Sequence, residues 1–223
     1  MSRQDASGAL TQAVFPAFNG LAAAKPGTGF LAKRVLDVVL AGALLVLLCP
    51  VLALLSLAIA LDSRGPVLFC QMRTGLNGRI FPIFKFRSMH VMEDGAEVVQ
   101  AVDGDVRVTR IGRLIRTLSL DELPQLLNVI AGDMSLVGPR PHAVVHDRYY
   151  GAATSNYAIR QLVKPGITGW AQVNGARGAT PTLAAMQRRV DFDVWYVAHA
   201  SLALDLKILM RTPLEVLRPR NIV

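Results

Sequence analysis

The chain has 223 residues, 52% of them hydrophobic and only 18% charged, with a formal net charge of +8. That length allows one catalytic domain and a small appendage, and the basic balance directs the chain toward anions: nucleic acid, anionic lipid or phosphorylated substrates. Two cysteines, Cys49 and Cys70, exclude a disulfide framework, and no CxxC or Cys/His cluster offers a zinc site, so the chain reads as belonging to a reducing compartment.

Residues 1–30 are rich in Ala, Gly, Pro and small polar side chains and read as a poorly ordered tail. Lys33-Arg34 then leads into residues 35–61, apolar almost throughout apart from Asp37 and Ser56. As a helix this run would reach about 40 Å, against a hydrocarbon core of about 30 Å. It is too long for the core of a signal peptide, and no small-residue cleavage pattern follows it. Pro50 sits near its middle, where proline kinks or breaks a helix. Lys33 and Arg34 precede the run and Arg64, Arg73, Arg79, Lys85 and Arg87 follow it, so the positive-inside bias draws both ends to the cytoplasm. Two arrangements satisfy this pattern: a helix broken at Pro50 that enters and leaves by one leaflet, and a kinked spanning helix.

Residues 67–73 and 79–87 flank Gly75-Leu76-Asn77-Gly78, and Asn-Gly between apolar runs predicts a hairpin. Alternation puts Lys85 and Arg87 on one strand face, where two cations could clamp a phosphate or merely meet solvent. Residues 93–105 are acidic and Gly-containing, without the spacing of an EF-hand, and read as a short helix and solvated loop. Ile111, Leu114, Ile115 and Leu118 are spaced as one buried helix face, with Arg110, Arg113 and Arg116 projecting opposite. Leu123, Leu126, Leu127 and Ile130 repeat that stripe in a helix predicted to start near Ser119 to Asp121, since Pro124 fits only a first turn and Ser119 with Glu122 matches a capping box. Asp121 and Glu122 then lie at a helix N-terminus, as site carboxylates or as ordinary first-turn acids.

Gly132-Asp133-Met134-Ser135-Leu136-Val137-Gly138-Pro139-Arg140-Pro141-His142 follows. The two prolines hold the backbone extended and present the Arg140 guanidinium from a stiff loop, which lowers the entropy lost on gripping an anion. Residues 164–175 form a Gly-dense loop, neither a Walker A loop nor a dinucleotide fingerprint, in which Trp170, Gln172 and Asn174 either contact a base or sugar or pin the loop. Residues 182–217 read as helices, the last lying on a bilayer surface or in the core.

Taken together, these stretches resemble the bacterial sugar transferase family, the monotopic phosphoglycosyl transferases that load polyprenyl phosphates. The resemblance runs from about Ala32 to the C-terminus. It rests on Lys33-Arg34 with Asp37, the proline-broken apolar run, Phe84-Lys85-Phe86-Arg87-Ser88-Met89, and residues 116–128, 132–141 and 164–175. It implies a mostly helical α+β monotopic membrane protein: a tail over 1–30, a re-entrant helix over 31–62 broken at Pro50, and a small cytosolic α/β catalytic domain over 63–223. Many family members have Ser-Pro at the break where this chain has Cys49-Pro50. Larger members carry a multi-span N-terminal domain, and this chain resembles the minimal catalytic form.

The implied reaction moves a hexose-1-phosphate from a UDP-sugar to undecaprenyl phosphate, the first membrane step of exopolysaccharide or related glycan assembly. Asp121 is the implied nucleophile, forming an aspartyl phosphosugar with loss of UMP, and Glu122 is its catalytic neighbour. Mg²⁺ lies against Asp121, and Lys85, Arg87, Arg116 and Arg140 bind phosphate. The motif around Arg140 looks most like the glucose branch; galactose and N-acetylated hexoses are the alternatives. The implied setting is the cytoplasmic face of the bacterial inner membrane. Expected protein partners are a second copy of the chain or a downstream glycosyltransferase, and nucleic acid is not among them. The competing classes are a membrane-tethered nucleic-acid-binding protein and a structural assembly protein.

Overall fold

The computed structural model describes residues 28–90 and 104–217, with side chains from residue 30. Of the tail assigned to 1–30, residues 1–27 lie outside the described residues, as does nearly all of the acidic segment 93–105, while residues 28–30 are corrected to the first turn of a helix. Helix α1 runs from Thr28–Asp62 as one helical element with Pro50 inside it. It is long and apolar enough to cross a membrane, yet only 6% of its most apolar 18-residue window is buried. Val46, Leu47 and Leu61 are among the apolar side chains turned outward. A core helix of a water-soluble domain would bury such a surface.

What α1 does bury, it fastens with polar groups. Arg34 donates to the Val129 and Ile130 carbonyls at 2.6 and 2.9 Å. Buried Asp37 accepts from the Leu136 amide at 3.0 Å and from the Ser135 hydroxyl at 3.1 Å. Lys33 pairs with buried Asp205 at 2.6 Å and donates to the Val137 carbonyl at 3.1 Å. At the other end, Asp62 accepts from the Ile111 amide at 3.1 Å. Ala41 belongs to the main core with Leu126, Val129 and Leu136, while Ile59 packs with Phe86 and Ile115.

The predicted hairpin is present: β1 (Leu68–Thr74) pairs antiparallel with β2 (Ile80–Phe86), with Phe69 opposite Lys85. Its connection is a 3₁₀ turn over Leu76–Gly78, with Asn77 and Gly78 both at positive φ (54° and 76°). This explains the Asn-Gly pair, although the loop is longer than a two-residue turn. Helix α2 (Arg110–Thr117) is capped by Thr109, whose hydroxyl accepts from the Gly112 amide at 2.8 Å. A Cβ on Gly112 would lie 2.0 Å from the Ser88 carbonyl oxygen, so glycine is what lets α2 meet the chain leaving β2.

A 3₁₀ turn (Leu120–Glu122) leads into α3 (Gln125–Ala131). Both expected leucine stripes are corrected here. Ile111 and Ile115 pack inward, but Leu114 and Leu118 are exposed; Leu126 and Val129 are buried, but Leu127 and Ile130 are exposed. The buried face of α3 is rotated to include Asn128, whose side chain accepts from the Phe84 amide at 2.9 Å and donates to the Pro82 carbonyl at 2.7 Å. A polar residue that satisfies a strand edge takes an interior position that periodicity assigns to leucine.

Strand β3 (Ser135–Val137) pairs parallel with β4 (Gly166–Thr168), inside the stretch expected as plain loop. The exchange is tight: a Cβ on Gly166 would lie 2.1 Å from the Gly138 amide nitrogen. The remaining elements are α4 (Val144–Ala153), a 3₁₀ segment (Tyr157–Leu162), α5 (Trp170–Val173), α6 (Leu183–His199) and α7 (Leu202–Leu217). Helix α7 fits neither simple alternative alone. Asp205 and Ile208 face the core, while Leu206, Met210, Leu214 and Leu217 are exposed.

Asn128→Ala leaves a part-buried strand amide and a strand carbonyl without their partner. A loss of about 2–4 kcal/mol is expected, read as a lowered thermal midpoint in detergent.

Candidate active site

Lys85 leaves β2 on the face directed at the 3₁₀ turn, and Arg140 reaches the same turn from the loop after β3. Both converge on Glu122. Lys85 Nζ lies 3.0 Å from Glu122 Oε1, and Arg140 grips both carboxylate oxygens, with Nη1 2.8 Å from Oε2 and Nη2 on Oε1. Asp121 is equally buried, at 8% exposure, but no ion pair among the described residues involves it.

This asymmetry separates the two acids. Burial and the charge of Glu122 push Asp121 up to about 6, against the opposing pull of Lys85, Arg116 and Arg140. Burial also pushes on Glu122, but Arg140 and Lys85 together outweigh it and hold that carboxyl well below its ordinary value. Burial draws the Lys85 ammonium below its usual range, with Glu122 opposing the shift.

The capping box is not formed. Ser119 sits in the left-handed region at φ 53° and makes no side-chain cap; its hydroxyl receives a bond from Arg177 instead. A non-glycine residue in that conformation two positions before Asp121 needs such a tether. Glu122 cannot close the box because its carboxylate is taken by the two cations.

Around the turn lies a cavity of about 790 Å³. Asp121, Glu122, Lys85, Arg116 and Arg140 line it, as does Gln172, whose amide donates to the Ile167 carbonyl at 2.9 Å. Leu44 and Leu48 of α1 and Pro213, Val216 and Leu217 of α7 add apolar lining to the same cavity.

Three sequence expectations are corrected. Arg87 is not at the cavity. It is 3% exposed and donates to the Pro66, Ser63 and Ile59 carbonyls at 2.6, 2.5 and 3.2 Å, closing the C-terminal end of α1. Strand β2 ends at Phe86, so the alternation that would align Arg87 with Lys85 lapses one residue too soon. Trp170 stacks on Trp195 at 4.6 Å, with Arg211 5.7 Å from its ring. Asn174 donates to the Trp170 carbonyl at 2.8 Å, so both residues pin the loop rather than line the cavity. Conversely, sequence reasoning missed Gln71, Arg73, Arg177 and Arg189, all of which line the cavity. Arg177 carried a signal, as an arginine set between the glycines that follow the Gly-dense stretch. Arg189 is three residues from Met186 and four from Asp193, on the buried face of α6.

His142 is not a base here. Burial, followed by the charges of Arg160 and Arg189, keeps its imidazole well below its ordinary pKa and therefore neutral. Tyr157 donates to Asp147 at 2.5 Å, and both ring nitrogens of His142 are engaged: Nδ1 lies 2.6 Å from the Tyr157 hydroxyl and 2.9 Å from Arg160 Nη1, and Nε2 faces Arg189 at 3.4 Å.

No group of three or more His, Cys, Asp or Glu side chains stands ready for a metal among the described residues. The donor set suits a different mode. Mg²⁺ binds through one or two carboxylates and completes its shell with substrate phosphate and water, and Asp121 is the site carboxylate not already paired with a cation.

The model of the bacterial sugar transferase family matches residues 28–219. The chain belongs to the bacterial sugar transferase family. A family relative in Caulobacter vibrioides, named UDP-glucose:undecaprenyl-phosphate glucose-1-phosphate transferase, is 55% identical over 86% of this chain and 72% of its own length. A protein of the same name in Escherichia coli is 50% identical over 83% of this chain, which spans only 40% of it. The exopolysaccharide production protein PSS of Rhizobium leguminosarum is 42% identical over 81% of this chain and 92% of its own length.

The raised Asp121 carboxyl has a stability consequence. In the unfolded chain it ionises near pH 3.9, in the fold near 6. Its burial costs nothing below about pH 3.9; the cost grows as pH rises and is complete above about 6. Asp121→Asn removes it. The variant should be more stable than the native protein by roughly 1–3 kcal/mol at pH 7.5, and the gap should close by pH 4. Thermal denaturation without substrate or metal at the two pH values checks this.

Proposed function

We propose that the chain transfers a hexose-1-phosphate, with glucose-1-phosphate the favoured cargo, from a UDP-sugar to undecaprenyl phosphate on the cytoplasmic face of the bacterial inner membrane. The product feeds exopolysaccharide or related glycan assembly. The observation that carries this reading is the mixed lining of the cavity. It combines two buried carboxylates with Lys85, Arg116 and Arg140, and apolar side chains contributed partly by α1. A diphosphate donor suits the charged groups and a lipid-tailed phosphate the apolar ones. The names of the relatives favour glucose and exopolysaccharide.

In this mechanism an Asp121 oxygen attacks the sugar-linked phosphorus of the donor. The bond to the bridging diphosphate oxygen breaks, and UMP leaves with the electron pair. An oxygen of the polyprenyl phosphate then attacks the same phosphorus and expels the Asp121 carboxylate. Each half-reaction exchanges one phosphoryl oxygen partner for another and needs no net proton transfer. A site of cations and a carboxylate, with its histidine neutral and tied up, suffices. Glu122 holds Lys85 and Arg140 together at the donor side. Asp121 would hold Mg²⁺, which would supply charge neutralisation at the diphosphate.

The domain reading follows: residues 31–62 enter the membrane and 63–223 form the catalytic unit. Both ends of α1 are tied to that unit, through Lys33, Arg34 and Asp37 at one end and Asp62 at the other. Shared attachment supports a re-entrant course turning at Pro50, whose missing N–H weakens the helix there. The nucleic-acid alternative is disfavoured because the site's cations converge inside a cavity rather than forming an open basic face.

A covalent two-step route has a signature without lipid. Labelled UMP should exchange into UDP-glucose in the presence of Mg²⁺ alone. Asp121→Asn should abolish the exchange, and Glu122→Gln should slow it at least 100-fold. Running UDP-galactose and UDP-N-acetylhexoses beside UDP-glucose assigns the sugar. Lipid-dependent transfer with no exchange from any donor would refute the two-step route. For the membrane course, a Phe30→Cys reporter in a background lacking Cys49 and Cys70 should react with an impermeant thiol reagent from the cytoplasmic side. Adding Pro50→Ala should move it to the opposite side.

A further inference from the structure

Arg140 stands between two prolines, so its loop lacks two backbone donors, and its carbonyls fix where it lies. The Pro139 carbonyl accepts from the Gly166 amide at 2.9 Å. The Pro141 carbonyl accepts from Arg73 Nη1 at 3.3 Å. The Arg140 carbonyl itself accepts from Arg160 Nη2 at 2.5 Å. Arg160 is 4% exposed, and the rest of its fork is spoken for. Nε and Nη2 donate to Asp193 Oδ2 at 3.1 and 2.9 Å, and Nη1 donates to the Tyr157 hydroxyl at 3.1 Å. Asp193 is 1% exposed and sits on α6, a 17-residue helix.

Neither Arg160 nor Asp193 lines the catalytic cavity. We propose that Asp193 and Arg160 are a positioning pair that carries the rigidity of α6 to Arg140 and thereby sets the guanidinium on the donor side of the site. The proposal rests on the reading of Arg140 given under Proposed function. Asp193 fixes the plane of the Arg160 fork, the fork fixes the Arg140 carbonyl, and the flanking prolines leave the residue little other freedom. The Arg140 guanidinium then meets Glu122 with two parallel bonds, a geometry that tolerates little displacement. Stability is a poor explanation for the pair, because a buried ion pair is commonly matched or bettered by apolar residues of the same volume. Placement explains it, since misplacing a catalytic group by about 1 Å costs on the order of 100-fold in rate.

The test is a double-mutant cycle on the full chain in detergent, read as UMP release from UDP-glucose with undecaprenyl phosphate. Arg140→Gln alone should lower kcat/KM by about 1000-fold. Asp193→Asn alone should lower it about 10- to 100-fold, mainly in kcat. The double variant should be no slower than Arg140→Gln, within about twofold, because placement has no consequence once the guanidinium is gone. If the two losses multiply, Asp193 acts on the fold at large and the proposal is overturned. Should Asp193→Asn fail to fold, Arg160→Lys replaces it in the cycle. That variant keeps the buried charge pair but cannot serve Asp193 and the Arg140 carbonyl together. Full activity of Arg160→Lys or of Asp193→Asn, with Arg140→Gln impaired, overturns the positioning pair alone. Full activity of Arg140→Gln overturns the assigned role of Arg140 and the pair with it.

Discussion

Two carboxylates occupy consecutive buried positions, and the cations close on only one of them. Glu122 takes the fork of Arg140 and the ammonium of Lys85, while Asp121 stands beside it without an ion pair among the described residues. Neighbouring acids whose surroundings drive their proton affinities apart are fit for different tasks. Glu122, held ionised, keeps two positive charges converged at the cavity, where the proposed function places the donor diphosphate. Asp121, pushed up to about 6, is ionised at neutral pH yet poorly solvated, the state that suits the nucleophile proposed for it. The raised value is also a cost to the folded state, the trade expected of the role proposed for Asp121.

The remainder of the described structure makes that arrangement rigid. Lys85 comes from a paired strand, Asp121 and Glu122 from a turn run directly into α3, and Arg140 from a loop clamped by β4 on one side and Arg160 on the other. Gly138 and Gly166 approach so closely that neither accepts a side chain. Helix α1 belongs to the same construction. Lys33 donates to the Val137 carbonyl at 3.1 Å, the Tyr196 hydroxyl lies 3.3 Å from the same carbonyl and donates to Asp205 at 2.7 Å, and Lys33 pairs with Asp205 as well. The apolar helix is thus bonded to the strand that leads into the Arg140 loop. Leu44 and Leu48 of that helix line the same cavity as Asp121, Glu122 and Arg140.

The sequence made some of this legible and concealed the rest for physical reasons. The Asn-Gly turn, the long apolar helix and the Pro-Arg-Pro loop were readable because each depends on local chemistry: positive φ, continuous hydrophobicity and restricted backbone. The order of motifs pointed to Asp121 and Glu122 with Lys85, Arg116 and Arg140, residues that the fold gathers at one cavity. Arg87 was misplaced because strand alternation was extended past the strand's last residue. Leu114, Leu118, Leu127 and Ile130 were placed inside because periodicity assumes that water covers every other face, whereas this chain leaves an apolar surface outward. The short parallel pair β3 and β4 gave no alternating signal, since three-residue strands are too brief to show a period. The buried set around Arg160, Asp193 and Arg189 was hidden for the opposite reason. Charged residues on a helix read as solvent-facing until a tertiary partner is seen, and the partners lie 33 residues apart for Arg160 with Asp193 and 47 for Arg189 with His142.

The central claim is the division of labour between Asp121 and Glu122, and peptide mapping tests it most directly. The protein is incubated with UDP-glucose and Mg²⁺ in the absence of lipid, quenched in acid and digested. The account predicts a hexose phosphate carried on Asp121 alone and discharged when undecaprenyl phosphate is added before the quench. An adduct on Glu122 or on any other residue, discharged by the lipid in the same way, would contradict it.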